Sequence, residues 1–296
     1  MNLDALLDTL LDAPIEHHAP CKQKPVANIQ ITPQALEKAY RYAELACEEL
    51  DTAVECYGYL ISPKETKDSI VRDVYLAPNQ SVTSAHVRLE PGAVIAAGKE
   101  LHEGGYRVLG WWHSHGTMET FHSSIDDENI VRVLHGIGAT NYVVTYREYP
   151  FMDVARLSSN WQSVCIEEEA PDCPSLVAEI KGTHAPFSLP IERVKLRLPI
   201  QTGFAYSVVV NGIRGKHFAQ LATKEYCYQC AEGEVVNEKS RLVKIPKQYT
   251  ISMDAESMRK EIREKINKVD NERHPIDSVL DNLEIFFKEE KNDDSQ

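Results

Sequence analysis

Residues 110–126 have the sequence Gly-Trp-Trp-His-Ser-His-Gly-Thr-Met-Glu-Thr-Phe-His-Ser-Ser-Ile-Asp. An apolar run from Arg107 to Trp112 leads into the two histidines and predicts a buried strand. Because residues two apart in a strand point to the same face, His113 and His115 can present their imidazoles side by side at its end.

The residues that follow predict a helix over 124–136. Acidic residues fill its first turn, apolar residues recur at helical spacing, and Gly136 provides a stop. Asp126 lies in that first turn and can reach back toward the histidines. Three ligands that converge and leave one coordination position open are typical of a catalytic zinc site, whereas structural zinc sites are closed.

The spacing H-x-H-x7-S-x2-D resembles the signature of the JAMM (MPN+) zinc metalloprotease family, in its prokaryotic JAB form. That family also needs a glutamate at the start of an apolar strand that follows a helix. Glu55 opens the run Glu-Cys-Tyr-Gly-Tyr-Leu-Ile, and residues 33–50 before it have a helical pattern. The resemblance covers residues 33–158 and implies an α/β fold: the MPN (cytidine-deaminase-like) α/β/α domain with a mixed sheet.

The resemblance also implies a role for each motif residue. His113, His115 and Asp126 would bind zinc, and Glu55 would hold the zinc-bound water and act as general base and then as acid. Ser123 would donate a hydrogen bond to the oxyanion of the tetrahedral intermediate. These residue types suit the chemistry: zinc lowers the pKa of a bound water to about 7, and a nearby carboxylate can carry its proton to the leaving amine.

Two positions depart from the family pattern. Many members have Pro where this chain has Gly116, and an apolar residue or Pro where it has His122. His122 is therefore a competing metal ligand, or else a residue that lines the cleft or is exposed. Two further alternatives stay open: a strand-end histidine pair with unrelated neighbours, and a non-catalytic MPN scaffold. Inactive members lose ligands, and this chain has lost none.

Composition narrows the class of protein. The 296 residues are 43% hydrophobic and 26% charged, as in ordinary globular proteins, and the net charge of −13 argues against nucleic acid as the main partner. No apolar run is long enough to span a membrane, and the acidic N-terminus is unlike a secretory signal. Seven cysteines at irregular spacing predict reduced thiols and a cytoplasmic protein.

Outside the core domain, the sequence predicts several accessory segments. Residues 1–32 predict an amphipathic helix and a linker, 33–160 the catalytic domain, and 161–190 a second linker. Leucines recur at helical spacing in the Leu3–Leu11 helix, which would pack on its own domain or dock into a partner's groove.

The last third of the chain predicts a small β-rich module at 191–250, C-terminal helices at 251–290 and a disordered tail at 291–296. Within the module, Asn211-Gly212 is a strong signal for a two-residue hairpin turn. Cys227 and Cys230 form half of a zinc site, and reduced thiols are the alternative. Residues 254–269 predict a helix with a solvated face, and the C-terminal helices offer core packing, dimer contact or a surface for a protein partner.

The sequence therefore predicts a zinc-dependent isopeptidase or peptidase. Its expected partner, implied by the resemblance, is ubiquitin or a ubiquitin-like protein and its conjugates, cut after the C-terminal Gly-Gly; processing of a sulfur-carrier protein is the alternative substrate. We expect residues 79–89 or 116–122 to bind the extended tail. We expect the β-rich module to be a second substrate contact, so that deletion of residues 185–296 would weaken substrate binding more than it alters the zinc site.

Overall fold

The structure is a computed structural model, and it describes residues 26–84, 86–148, 152–153, 175–180, 191–227, 235–246 and 251–269. Several predictions lie outside these residues: the Leu3–Leu11 helix, most of the linker at 161–190, the Cys227–Cys230 motif as a pair, the second C-terminal helix from Pro275, and the tail. They stay predictions.

The described residues contain four helices and a larger set of strands. The helices are α1 (Pro33–Glu49), α2 (Pro91–Glu103), α3 (Ser124–Ile137) and α4 (Ala255–Lys265). The strands are β1 (Ile29–Ile31), β2 (Tyr57–Pro63), β3 (Ile70–Val71), β4 (Asp73–Leu76), β5 (Gln80–Val82), β6 (Val87–Leu89), β7 (Tyr106–Ser114), β8 (Tyr142–Glu148), β9 (Met152–Asp153), β10 (Ser175–Ile180), β11 (Ile191–Asn211), β12 (Lys216–Cys227), β13 (Val235–Lys239), β14 (Leu242–Lys244) and β15 (Ile266–Lys268).

The chain divides into two compact units, and the smaller one includes residues 143–202. Its described part is built around the first half of β11, which pairs with β8, with β9 and with β10. β10 runs antiparallel to β11, from Ser175 opposite Arg197 to Ile180 opposite Ile191. The predicted linker at 161–190 therefore contains a paired strand.

The larger unit includes residues 26–142, 203–224 and the described residues from 235 onward. Its main sheet has the strand order β13-β12-β11-β7-β2-β4. β7 is central and runs antiparallel to β2 and parallel to β11. This mixed sheet with flanking helices confirms the predicted α/β fold class.

The two tryptophans of β7 show how the helices cover the sheet. Trp111 packs in a core cluster with Ala97 of α2 and Ile130 of α3. Trp112 points to the other face, where its ring stacks on Tyr42 of α1 with centroids 6.1 Å apart. Since neighbouring strand residues face opposite sides, one dipeptide supports both helical layers.

Local sequence signals account for α1 and for the tight pairing around β7. Thr32 caps α1, because its side chain accepts a hydrogen bond from the backbone N–H of Ala35 at 3.3 Å, and Pro33 follows at the first position. A Cβ on Gly110 would meet the backbone carbonyl of Tyr206 on β11. Glycine at this position therefore permits the parallel pairing of β7 with β11.

The region predicted as a separate β-rich module is divided between these two units. Residues 206–210 of β11 pair with residues 110–114 of β7, so that Val209 lies opposite His113. β14 pairs with β1 in a second, three-stranded sheet. The structure thus differs from the predicted boundary at 191. The hairpin at Asn211-Gly212 is present, but its turn spans four residues, 212–215, instead of two.

Two further segments pack more closely than their sequences suggest. Residues 29–31, assigned to a linker, form the buried strand β1 between β14 and β3. Helix α4, expected to be solvated, buries Met258 and Ile262, and its Arg259 pairs with Glu49 of α1 at 2.6 Å. Within the part of the chain described here, every helix is too short or too polar to cross a membrane.

Candidate metal centre

Three predicted ligands converge at the end of β7. The ligand atoms of His113, His115 and Asp126 all lie within 4.8 Å of one another. The Nε2 atoms of the two histidines are 3.1 Å apart, and Asp126 Oδ1 is 3.9 Å from His113 Nε2. Both histidines are buried, and the Asp126 side chain is 13% exposed. This group can bind a metal ion.

The geometry and donor set fit a zinc ion. Two nitrogens bound to one tetrahedral ion at Zn–N distances of about 2.0–2.1 Å lie about 3.3 Å apart, close to the 3.1 Å between the two Nε2 atoms. Two imidazoles and one carboxylate also form a donor set that hydrolytic zinc sites use.

A capping box at the start of α3 aims the carboxylate of Asp126. Oδ2 of Asp126 accepts hydrogen bonds from the backbone N–H and the hydroxyl of Ser123, both at 2.8 Å. In return, Ser123 Oγ accepts a bond from the Asp126 backbone N–H at 3.3 Å. Because Oδ2 is occupied in this way, Oδ1 is the atom nearest His113. Ser123 therefore orients a predicted metal ligand, and its oxyanion role stays a prediction.

A hydrogen bond sets the tautomer of His115, and burial keeps His113 uncharged. His115 Nδ1 lies 2.7 Å from the backbone carbonyl of Glu119, so Nδ1 carries the proton and leaves the Nε2 lone pair for a metal. Burial lowers the pKa of His113, against the opposing effect of the Asp126 carboxylate. His113 is therefore neutral near pH 7, as a metal ligand must be. The ring of Trp111 stacks on it, with centroids 4.9 Å apart.

Glu55 reaches the same cluster from a position two residues before β2, the strand next to β7. Its Oε1 lies 3.9 Å from His115 Nε2, and its side chain is 9% exposed. The strand begins at Tyr57, two residues later than predicted. The adjacent Cys56 donates its backbone N–H to Ser114 Oγ at 2.9 Å, and this bond ties the Glu55 segment to the residue between the two histidines.

Burial raises the pKa of the Glu55 carboxyl to about 8, and the nearby Asp126 carboxylate adds to the rise. A divalent cation at the cluster would favour the ionised form of Glu55 and oppose this rise. The proton affinity of the Glu55 carboxyl group therefore depends on whether the cluster holds a cation.

His122 does not act as a competing ligand in this arrangement. Its Nε2 lies 2.8 Å from Ser207 Oγ, and its Nδ1 is hydrogen-bonded to Gln220 Oε1. Both ring nitrogens are therefore engaged. Burial lowers the pKa of His122, so the ring is neutral and each nitrogen serves one partner.

Several residues of the β11–β12 hairpin contact the loop at 115–122, and the sequence alone did not predict these contacts. Asn211, Ser207 and Gln220 all bond to residues between 115 and 122. Their only sequence signal was the Asn-Gly turn, which indicates a hairpin and says nothing about where that hairpin packs.

We expect wild-type protein to hold about one zinc per chain, and His115→Ala to lose nearly all of it, because two ligands and water bind zinc far more weakly than three. Metal analysis of the purified proteins measures this. His135→Ala is the matched control, since that histidine is exposed in the last turn of α3. Unchanged zinc in His115→Ala would refute the ligand assignment, unless Cys227 and Cys230 hold the metal.

Comparison with known proteins agrees with this geometry. A family model described as prokaryotic homologs of the JAB domain matches residues 37–156. None of the curated proteins compared with this chain matches it. Among solved structures, the solution structure of protein DSY2949 from Desulfitobacterium hafniense is 13% identical, with a TM-score of 0.36 over 74% of this chain and 93% of that one. At that TM-score the likeness supports no further conclusion.

Proposed function

Because residues 37–156 belong to the JAB/MPN family, we propose that this chain is a zinc-dependent isopeptidase or peptidase that cuts after the C-terminal Gly-Gly of ubiquitin or a ubiquitin-like protein. The observation that carries the proposal is the convergence of His113, His115 and Asp126, with Glu55 at 3.9 Å from His115. A hydrolase of this family needs both the ligands and the acid–base group, and a scaffold needs neither.

In this proposal zinc and Glu55 have separate chemical roles. Zinc, when bound, polarises the scissile carbonyl and acidifies a water molecule. Glu55 takes the proton of the attacking water and returns it to the leaving amine. Its carboxylate lies 3.9 Å from His115 Nε2, next to the ligand cluster, and its burial keeps bulk solvent from competing for the proton.

Ser123 has two duties in this proposal. Its hydroxyl orients Asp126 in the structure, and the family resemblance assigns the same hydroxyl to the oxyanion. The backbone N–H of Ser123 also bonds to Asp126 Oδ2, so the carboxylate stays anchored when the hydroxyl turns toward substrate. Loss of an oxyanion donor costs on the order of a hundredfold or more in kcat.

A Gly-Gly tail offers no side chains near the scissile bond, so the enzyme must bind the extended backbone of the tail. Strand addition at a sheet edge does this in other peptide-binding proteins. β6 (Val87–Leu89) is one of the two outer strands of the sheet β15-β5-β6. The segment that connects β5 to β6 is hydrogen-bonded to Glu55, because the Glu55 backbone N–H donates to the Thr83 carbonyl at 3.1 Å. We assign the tail to this edge or to the loop 116–122.

The test is cleavage of a folded ubiquitin-like domain that ends in Gly-Gly and is joined to a short peptide or to a lysine side chain. We expect cleavage after the last Gly, loss of activity with a chelator, and recovery with added zinc. An unstructured peptide with the same tail should be cut far more slowly, because two glycines supply little binding energy.

Two outcomes would point elsewhere. Equal rates on the unstructured peptide would indicate a general peptidase. If the purified protein binds no metal and cleaves none of the fusions, the result would favour the non-catalytic MPN scaffold. Sulfur-carrier proteins with Gly-Gly tails belong in the same panel, since processing of such a carrier is the alternative activity.

A further inference from the structure

We propose that Asn211, which lies outside the segment matched by the family model, is a positioning residue that sets the geometry of the metal loop at 115–122. The inference rests on the proposed metal site and adds to it a residue from the β11–β12 hairpin. Asn211 would act through His115 and would not touch the metal or the substrate.

The contacts of Asn211 are directed at the start of the loop. Its side-chain amide donates to the backbone carbonyl of His115 at 3.1 Å and to that of Met118 at 2.7 Å. Asn211 is 1% exposed, so no water competes for these bonds. One amide group thus bridges a metal ligand and the residue three positions later, and holds the bend at residues 116–118.

That bend sets the direction of the next backbone carbonyl, which belongs to Glu119. Glu119 follows Met118 directly, and its carbonyl accepts the Nδ1 proton of His115 at 2.7 Å. The Asn211 bond to Met118 therefore supports the group that fixes the tautomer and the orientation of the His115 ring. Outer partners of this kind typically contribute a factor of 10–100 to metal affinity.

Asn211 itself is held on a rigid base. Its Oδ1 accepts a bond from the Arg214 backbone N–H at 2.9 Å across the hairpin turn. The turn packs against α1, since a Cβ on Gly212 would lie 2.6 Å from the Tyr40 carbonyl. The strand before Asn211 is paired with β7, where Val210 lies opposite Ser114. The amide is therefore fixed relative to both histidines.

The same hairpin also holds the far end of the loop. His122 bonds to Ser207 on β11 and to Gln220 on β12. Gln220 also donates to Asp127 of α3 at 2.7 Å, one residue after the ligand Asp126. The loop is thus anchored at both ends by one hairpin, and Asn211 is the anchor nearer to a ligand.

The experiment compares Asn211→Ala with Asn141→Ala in the full chain. Asn141 is the matched control, because it is also 1% exposed and its amide donates to a carbonyl of β7, that of Val108, away from the ligands. Each protein is stripped of metal and titrated with Co²⁺, with the visible absorption spectrum recorded, and zinc affinity is measured by competition with a chelator.

We expect Asn211→Ala to bind zinc about 10–100-fold more weakly than wild type and to change the Co²⁺ absorption bands. Asn141→Ala should keep the wild-type affinity and spectrum, even where both variants lower the urea midpoint of the metal-free protein. If Asn211→Ala does not fold, Asn211→Asp and Ser207→Ala are measured in the same way, with a smaller loss expected for Ser207→Ala because its contact is at the far end of the loop.

Two results would overturn the inference: wild-type affinity and spectrum in the Asn211 variants, or equal shifts in the Asn141 control, which would mean a general effect on stability. Absence of metal binding by the wild-type protein would instead refute the proposed function, and the inference would fall with it. The readout is metal binding, so it does not depend on the identity of the substrate.

Discussion

Replacing Glu55 by Gln is expected to lower kcat on a Gly-Gly fusion by about 10²–10⁴-fold, while the zinc content stays at the wild-type level. The amide is isosteric with the carboxyl group and cannot accept the proton of the attacking water. Glu55 lies 3.9 Å from His115 Nε2 and is outside the three-ligand group, so the metal should stay bound. Single-turnover cleavage assays and metal analysis of the same preparation measure both quantities.

Glu103→Gln is the matched control for this experiment. That residue ends α2 with its side chain 67% exposed, and it pairs with Lys99 at 3.8 Å. Its variant should cleave at the wild-type rate. Near wild-type turnover by Glu55→Gln would require another base. Glu119 is poorly suited to that role, because its hydrogen bond to Lys216, together with Arg214, lowers the pKa of its carboxyl.

Removing residues 185–296 is expected to abolish metal binding and cooperative folding. This reverses the expectation from sequence, which placed a separate substrate-binding module in that region. The deletion takes away β11, whose residues 206–210 pair with the end of β7 that carries His113. It also removes Asn211 and Gln220, which hold the loop at 115–122. Buried backbone groups left without partners destabilise a sheet strongly.

Zinc analysis and urea unfolding followed by circular dichroism measure the effect. A chain that ends at Val269 is the control, because it keeps β11, β12 and every residue named above at the metal centre, and it should bind zinc like the full chain. A 1–184 fragment that unfolds cooperatively and holds one zinc would show that the hairpin is dispensable for the site.

The sequence alone was sufficient to predict that these three candidate ligands converge, and the reason is local. His113, His115 and Asp126 lie within 14 residues, and strand alternation, a helix cap and a short loop determine how they face one another. The ordered combination of Glu55 with that motif also indicated the family. For the same reason, the cap Thr32-Pro33 and the hairpin at Asn211-Gly212 were predictable.

Only the tertiary structure determined which residues pack around these three side chains. The pairing of β7 with β11 joins residues 96 positions apart, and the alternation of apolar residues in each strand is compatible with many partners. The sequence likewise did not indicate the partners of His122, which lie on the β11–β12 hairpin. It also did not indicate that the highly charged helix α4 has a buried face that packs against α1. Spacing in the sequence specifies chemistry within one strand–loop–helix unit. Contacts between distant strands depend on how the whole core packs, and that packing placed Asn211 beside the metal loop.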